Sequence, residues 1–195
     1  MKLFAPLYER VISWSKHPQA LKYLGVLSFA ESSFFPIPPD VMLAPMSLVK
    51  PDKALYYALI TTIASVIGGM LGYFIGSYFY DNIAFLITEG GRWFEKYEHV
   101  KQWFDQWGVY AIFIAGFSPI PYKVFTITAG ILQMAFIPFV VASFIGRGLR
   151  FFLVAGLMKW GGKRMEDKIA QYVEQLGWAV VIIFAIAFTL YYLFK

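Results

Sequence analysis

Two kinds of segment alternate along the chain. In one kind, apolar residues recur at helical spacing among charges. In the other, nearly every residue is apolar. Residues 2–16 are of the first kind: Phe4, Tyr8 and Ile12 recur every fourth position, Leu3, Leu7, Val11 and Trp14 widen the stripe, and Lys2, Glu9, Arg10 and Lys16 lie between. Such a pattern predicts an amphipathic helix lying in a membrane interface. Residues 90–107 repeat it, with Trp93, Tyr97, Val100, Phe104 and Trp107 as the stripe, and residues 163–176 give a third, with Met165, Ile169, Tyr172, Val173 and Leu176 inward.

The apolar segments are of two sorts. Crossing a bilayer takes about 20 apolar residues. Residues 54–80 carry no charge at all, residues 136–160 carry Arg147 and Arg150, and residues 177–194 form a plain terminal stretch; these are three predicted spans. Residues 20–49 and 109–137 are broken instead. The first contains Glu31, Asp40, Pro36, Pro38, Pro39 and Pro45; the second contains Pro119, Pro121 and Lys123. Proline removes a backbone donor and blocks helix continuation. Irregular backbone at membrane depth survives only against protein or a wet cavity. Each broken segment is therefore expected to enter the membrane, turn at its prolines and return to the same side. The prolines either simply end helices or free backbone groups for a ligand, and the two roles are compatible.

The broken segments are copies of one another. Pro36-Ile37-Pro38-Pro39-Asp40-Val41 matches Pro119-Ile120-Pro121-Tyr122-Lys123-Val124 at an offset of 83 residues, and Ala64-Ser65-Val66-Ile67-Gly68 matches Ala142-Ser143-Phe144-Ile145-Gly146 at an offset of 78. The expected fold is an all-α integral membrane protein in one membrane domain, 1–195. It consists of an amphipathic helix (1–19), a first repeat (20–89), a second repeat (90–162), and an amphipathic helix with a terminal span (163–195). One span separates the two hairpins, which makes the repeat inverted, an arrangement found in transporters. Gly68, Gly72 and Gly76 share one helix face, where small residues permit close approach. The expected neighbour is the repeat mate around 139–153, with a seam between two copies of the chain, a homo-oligomer, as the alternative.

Composition narrows the function. Only 15% of residues are charged and 20% are aromatic, against about 25% charged in a soluble domain. The net charge of +5 is scattered among the spans, which suits anionic headgroups and not nucleic acid. There are no cysteines, and the two histidines, His17 and His99, are far apart. No disulfide, metal site, cofactor or catalytic set is expected, and the chain is read as a non-enzyme. No cleavable leader is read, because the first apolar run starts at Ala20 and contains Glu31. The side holding residues 2–22, 50–53 and 159–168 carries ten Lys or Arg, against four on the other. The positive-inside rule then places the N-terminus in the cytoplasm.

Five ionisable residues interrupt apolar segments: Glu31, Asp40, Lys123, Arg147 and Arg150. Each costs roughly 2.5–3.5 kcal/mol at a helix centre, so they must pair or line water. They form either an ion-pair network that locks the hairpins together or a site for an anionic headgroup with a titrating acid. Asp40 and Lys123 hold the same place in the two repeats. They are expected to meet near the midplane with at least one of Arg147 and Arg150, with Glu31 at the edge. Protonation of Asp40 would then release Lys123 to a phosphate.

Glu31 followed by Pro36-Ile37-Pro38-Pro39-Asp40, and Gly116-Phe117-Ser118-Pro119-Ile120-Pro121-Tyr122-Lys123 followed by Gly130, resemble the DedA family, also called the VTT or SNARE-associated-like family. The likeness covers about residues 21–165 and is strongest to its short Pro-Ile-Pro-Tyr-Lys members. It implies movement of undecaprenyl phosphate or phospholipids across the cell inner (plasma) membrane, with proton coupling through membrane acids. It also implies that Glu31 and Asp40 occupy the family's essential acidic places. At the second turn, where the family has arginines, this chain has Gly116 and Lys123. The alternative function is a non-transporting structural or scaffold protein of the membrane.

Overall fold

The computed structural model describes residues 14–15, 17–33, 38–87, 94–118 and 121–161. The described elements are helical: α1 (Ala20–Ser33), α2 (Asp40–Val49), a 3₁₀ turn (Pro51–Lys53), α3 (Ala54–Ile87), α4 (Phe94–Phe117), α5 (Tyr122–Ile131) and α6 (Phe136–Gly161). Pro36, Pro119, the third amphipathic helix and the terminal span lie outside the described residues, as does residues 2–16 apart from the helical Trp14 and Ser15.

Local chemistry sets the helix ends. Pro39 caps α2, where a missing N–H is no loss because the first turn has no intrahelical acceptor for it. The amides of Met42 and Leu43 then bond to the Pro39 carbonyl at 3.0 and 2.9 Å. Asp40, in that first turn, places its charge at the positive end of the helix dipole. α5 ends in a Schellman motif. Gln133 donates to the Gly130 carbonyl at 3.1 Å and Met134 to the Ala129 carbonyl at 2.9 Å. Gln133 occupies the left-handed position, with φ 52°.

α3 is the central element, with α1 and α5 packed along it. The α1–α3 seam is built from small residues. Ser28 donates to the Thr61 carbonyl at 2.7 Å, Ser32 and Ser65 share a 2.6 Å hydroxyl contact, and Ser33 donates to the Gly68 carbonyl at 3.0 Å. A side chain at Gly68 would collide with the Phe29 carbonyl, and one at Gly76 with the Ile127 carbonyl. The glycine face of α3 therefore meets α1 and α5, not the region 139–153 expected from the repeat. The reason is that α3 takes one helix from each half of the chain, α1 and α5, against its glycines. In the second half Gly146 of α6 abuts the Phe113 carbonyl of α4, as Gly68 of α3 abuts Phe29 of α1.

Residues 90–107 and the apolar segment from 109 have different sequence patterns. The amphipathic segment and the following apolar arm form one continuous helix through Gly108, because a single glycine weakens a helix without ending it. A side chain at Gly108 would press on the Phe104 ring.

The interior is rich in small polar residues and the exterior is apolar. Ser28, Ser32, Thr61, Thr62, Ser65, Thr126 and Ser143 are buried, whereas Leu59, Ile63, Ile67, Leu71, Phe74 and Tyr78 form an exposed stripe on α3, and Val141, Phe144, Leu149, Phe152 and Leu157 are exposed on α6. Water would not support such stripes, whereas lipid does. The stretches Pro51–Tyr80 and Phe136–Gly161, of 30 and 26 residues, are long and apolar enough to cross a membrane. The protein is a helical membrane protein.

Candidate functional site

Four of the five interrupting charges meet as two ion pairs. Arg147 and Arg150 stand one turn apart on α6, so their side chains leave the same face. Glu31 ends α1 and Asp40 begins α2, one on each side of the first proline turn. Arg147 Nη2 bonds Glu31 Oε2 at 2.5 Å, and Arg150 Nη2 bonds Asp40 Oδ2 at 2.6 Å. α1 and α2 are thereby both tied to α6.

The two pairs differ in surroundings. The Arg147 side chain is 1% exposed and Glu31 15%. Its Nε donates to Ser65 Oγ at 2.5 Å, and Nη2 also reaches Ser32 Oγ at 3.2 Å. Its guanidinium carbon lies 4.9 Å from the Tyr122 ring centre and 4.7 Å from that of Phe151, within cation–π range. Arg150 and Asp40 are 19% and 23% exposed. Arg150 Nη1 donates to the Ser118 carbonyl at 2.6 Å. One guanidinium thus joins the residue that follows the first proline turn to the residue that precedes the second. Beside it, Asp40 Oδ1 and Ser118 Oγ are buried with no hydrogen-bond partner among the described residues.

Asp40 takes Arg150 as its ion partner, one of the two α6 arginines it was expected to meet. Lys123 is half-buried in the first turn of α5, and its carbonyl accepts the Thr126 hydroxyl at 3.0 Å. Glu31 holds Arg147, the most buried cation among the described residues. Of the proline motifs, Pro39 is buried at the start of α2, while Pro38 and Pro121 are exposed.

Ser32, Ser65, Ser118, Tyr122 and Phe151 were not singled out as site residues by the sequence. Ser65 had a signal, since it lies in the repeated Ala64-to-Gly68 block, and Ser32 adjoins Glu31. Gly116 abuts the backbone of Gly146 and Arg147, with the Arg147 amide 3.2 Å from where a side chain would begin. The arginine-bearing face of α6 is thereby drawn close to the second turn. Among the described residues no cluster of His, Cys, Asp or Glu has metal-binding geometry. Chemically, the arrangement offers a partly reachable guanidinium, an acid sharing it, and unbonded acceptor and hydroxyl groups.

Residues 35–160 match the family model described as the VTT domain. An uncharacterised protein of Haemophilus influenzae is 49% identical over 188 residues, covering 96% of this chain and 97% of its own length. Undecaprenyl phosphate transporter A of Staphylococcus aureus is 30% identical over 148 residues, covering 70% of this chain and 71% of its own. No solved structure matches. With the domain match spanning both proline turns and both paired arginines, the chain belongs to the VTT-domain family, the DedA family of membrane proteins.

Proposed function

We propose that this protein is a multi-pass transporter of the inner (plasma) membrane that moves a phosphate-bearing lipid, undecaprenyl phosphate or a phospholipid, between leaflets in a proton-coupled step. The observation that carries the reading is the Arg150 guanidinium shared between Asp40 and the Ser118 carbonyl. A phosphate monoester offers the acceptor oxygens that a guanidinium fork prefers, and would compete with Asp40 for it. Protonated Asp40 gives up Arg150 and becomes a hydrogen-bond donor to the phosphate. Deprotonated Asp40 reclaims Arg150 and expels the headgroup. Glu31, Arg147 and Lys123 complete the polar site. The name of the Staphylococcus aureus relative supports the lipid phosphate as substrate class.

Helix lengths support re-entrant hairpins. α2 and α5 have 10 residues each, about 15 Å of helix, which is half the roughly 30 Å hydrocarbon core. Hairpins of that depth, entering from opposite faces, have their turns near the midplane. The inverted repeat then supplies the alternating access, with the N-terminus in the cytoplasm and the anionic headgroup at the meeting of the turns.

The test is reconstitution in liposomes with a fluorescent polyprenyl phosphate and an imposed pH gradient. The parent should move lipid in response to the gradient. Asp40→Asn should fold and no longer respond. A parent that moves no lipid at any pH sinks the reading and leaves the scaffold role.

A further inference from the structure

The two arginines of α6 are one turn apart yet differ in what a ligand would have to displace. Arg147 is engaged at three acceptors, Glu31 Oε2, Ser65 Oγ and Ser32 Oγ, and lies over two aromatic rings, with 1% of its side chain exposed. A headgroup reaching it would have to break the Glu31 pair, uncouple the serine contacts between α1 and α3, and lift the guanidinium from Tyr122 and Phe151. Arg150 makes two hydrogen bonds, one to a main-chain carbonyl and one to Asp40, and is 19% exposed. Exchange there breaks one side-chain bond. Asp40 Oδ1 and Ser118 Oγ, both without a partner among the described residues, are available to the incoming group.

We infer that Arg147 is a positioning residue and not a headgroup ligand: through Glu31, Ser32 and Ser65 it fixes α1 and α3 against α6, and so holds Arg150 opposite Asp40 as the pair that exchanges with phosphate. The inference rests on the headgroup reading proposed above. It divides the charged network into a fixed clasp and an exchanging pair. The clasp is made where burial is deepest. The exchanging pair lies where Arg150 joins the two proline turns.

The test uses the purified protein in detergent and decyl phosphate, a single-chain phosphate monoester. Phenylglyoxal labelling of arginines is mapped by peptide mass spectrometry with and without decyl phosphate. Arg150 should be modified in the free protein and protected by decyl phosphate, and Arg147 should be unmodified in both. Arg147→Lys keeps the charge but loses the planar fork. In that variant affinity for decyl phosphate should fall about three- to tenfold, the scale of one misaligned charge-assisted bond. Protection of Arg150 and the salt dependence of binding should stay as in the parent. Labelling of Arg147 with protection by decyl phosphate would make it a ligand and overturn the inference. Unchanged affinity in Arg147→Lys, with only a lower melting temperature, would reduce Arg147 to packing and overturn it too. If Arg147→Lys does not fold, the labelling of the parent decides alone. A parent with no affinity for decyl phosphate removes the headgroup reading itself and the inference with it, an outcome distinct from mislocated protection.

Discussion

At the scale of the residue, the buried Glu31–Arg147 pair makes each partner dependent on the other. Removing one member of a buried ion pair leaves an uncompensated charge and costs about 3–5 kcal/mol, whereas replacing both by neutral groups of similar size costs far less. Glu31→Gln and Arg147→Met should therefore each lower thermal stability in detergent strongly. The double variant should be more stable than the sum of the two losses allows, with a coupling of about 0.5–3 kcal/mol. Additive losses would mean that the 2.5 Å contact carries no coupling. The sequence made these residues legible as a group, because charges in apolar runs are costly enough to require a reason. It did not reveal who pairs with whom. Arg147 and Arg150 sharing a face says nothing about which acid lies opposite, and the matching places of Asp40 and Lys123 did not say which of the two arginines Asp40 would meet. Tyr122 and Phe151 were illegible for a simpler reason: an aromatic in a membrane helix looks the same facing lipid or facing a guanidinium.

At the scale of the element, what holds α3 to its neighbours is the absence of side chains. A Cβ at Gly76 would collide with the Ile127 carbonyl and one at Gly130 with the Tyr73 carbonyl, so α3 and α5 are pinned by a glycine from each side; Gly156 on α6 has open space. Gly76→Ala and Gly130→Ala should force the helices apart and lower the melting temperature. Gly156→Ala should be neutral or stabilising by up to about 1 kcal/mol, since alanine is the better helix former. A destabilised Gly156→Ala beside a tolerated Gly130→Ala would reverse the packing order. The end of α5 offers a test in the other direction. Gln133 sits at φ 52°, a conformation that costs an L-residue roughly 1–2 kcal/mol and glycine almost nothing. Gln133→Gly should raise stability, by about 1 kcal/mol after its greater unfolded-state entropy is counted. An unchanged or lower melting temperature would show that the Gln133 side chain contributes contacts that offset the strain. The glycine stripe was readable as a close-packing face, but its partner was not. Spacing reports that a backbone approaches, never whose. Residues 90–107 and the apolar segment from 109 looked like separate units in the sequence, yet one helix runs through Gly108, with the Phe104 ring packed where a side chain would have been.

At the scale of the whole molecule, the repeat was the most legible feature, since two blocks in the same order fix which segments correspond. Length suggests a placement of those segments in the bilayer that labelling can test. The apolar end of α4, residues 107–117, and the 10 residues of α5 each extend about 15–17 Å at 1.5 Å per residue, too short to cross a core of about 30 Å. If that hairpin is re-entrant, Gln102 before it and Ala135 after it lie on one side of the membrane. If α3 and α6, both long and apolar enough, cross fully, Asp52, before α3, and Lys159, near the end of α6, lie together on the other. All four residues are exposed. Because the chain has no cysteine, single substitutions Asp52→Cys, Gln102→Cys, Ala135→Cys and Lys159→Cys each place one thiol in an otherwise unreactive protein. With a membrane-impermeant maleimide applied to intact cells, Gln102→Cys and Ala135→Cys should label, while Asp52→Cys and Lys159→Cys should label only after the membrane is opened. That result would agree with the lysines and arginines gathered on the side of residues 50–53 and 159–168. Labelling of Gln102→Cys and Ala135→Cys from opposite sides would mean that the second hairpin crosses the bilayer, and the meeting of two proline turns at the midplane would be lost with it.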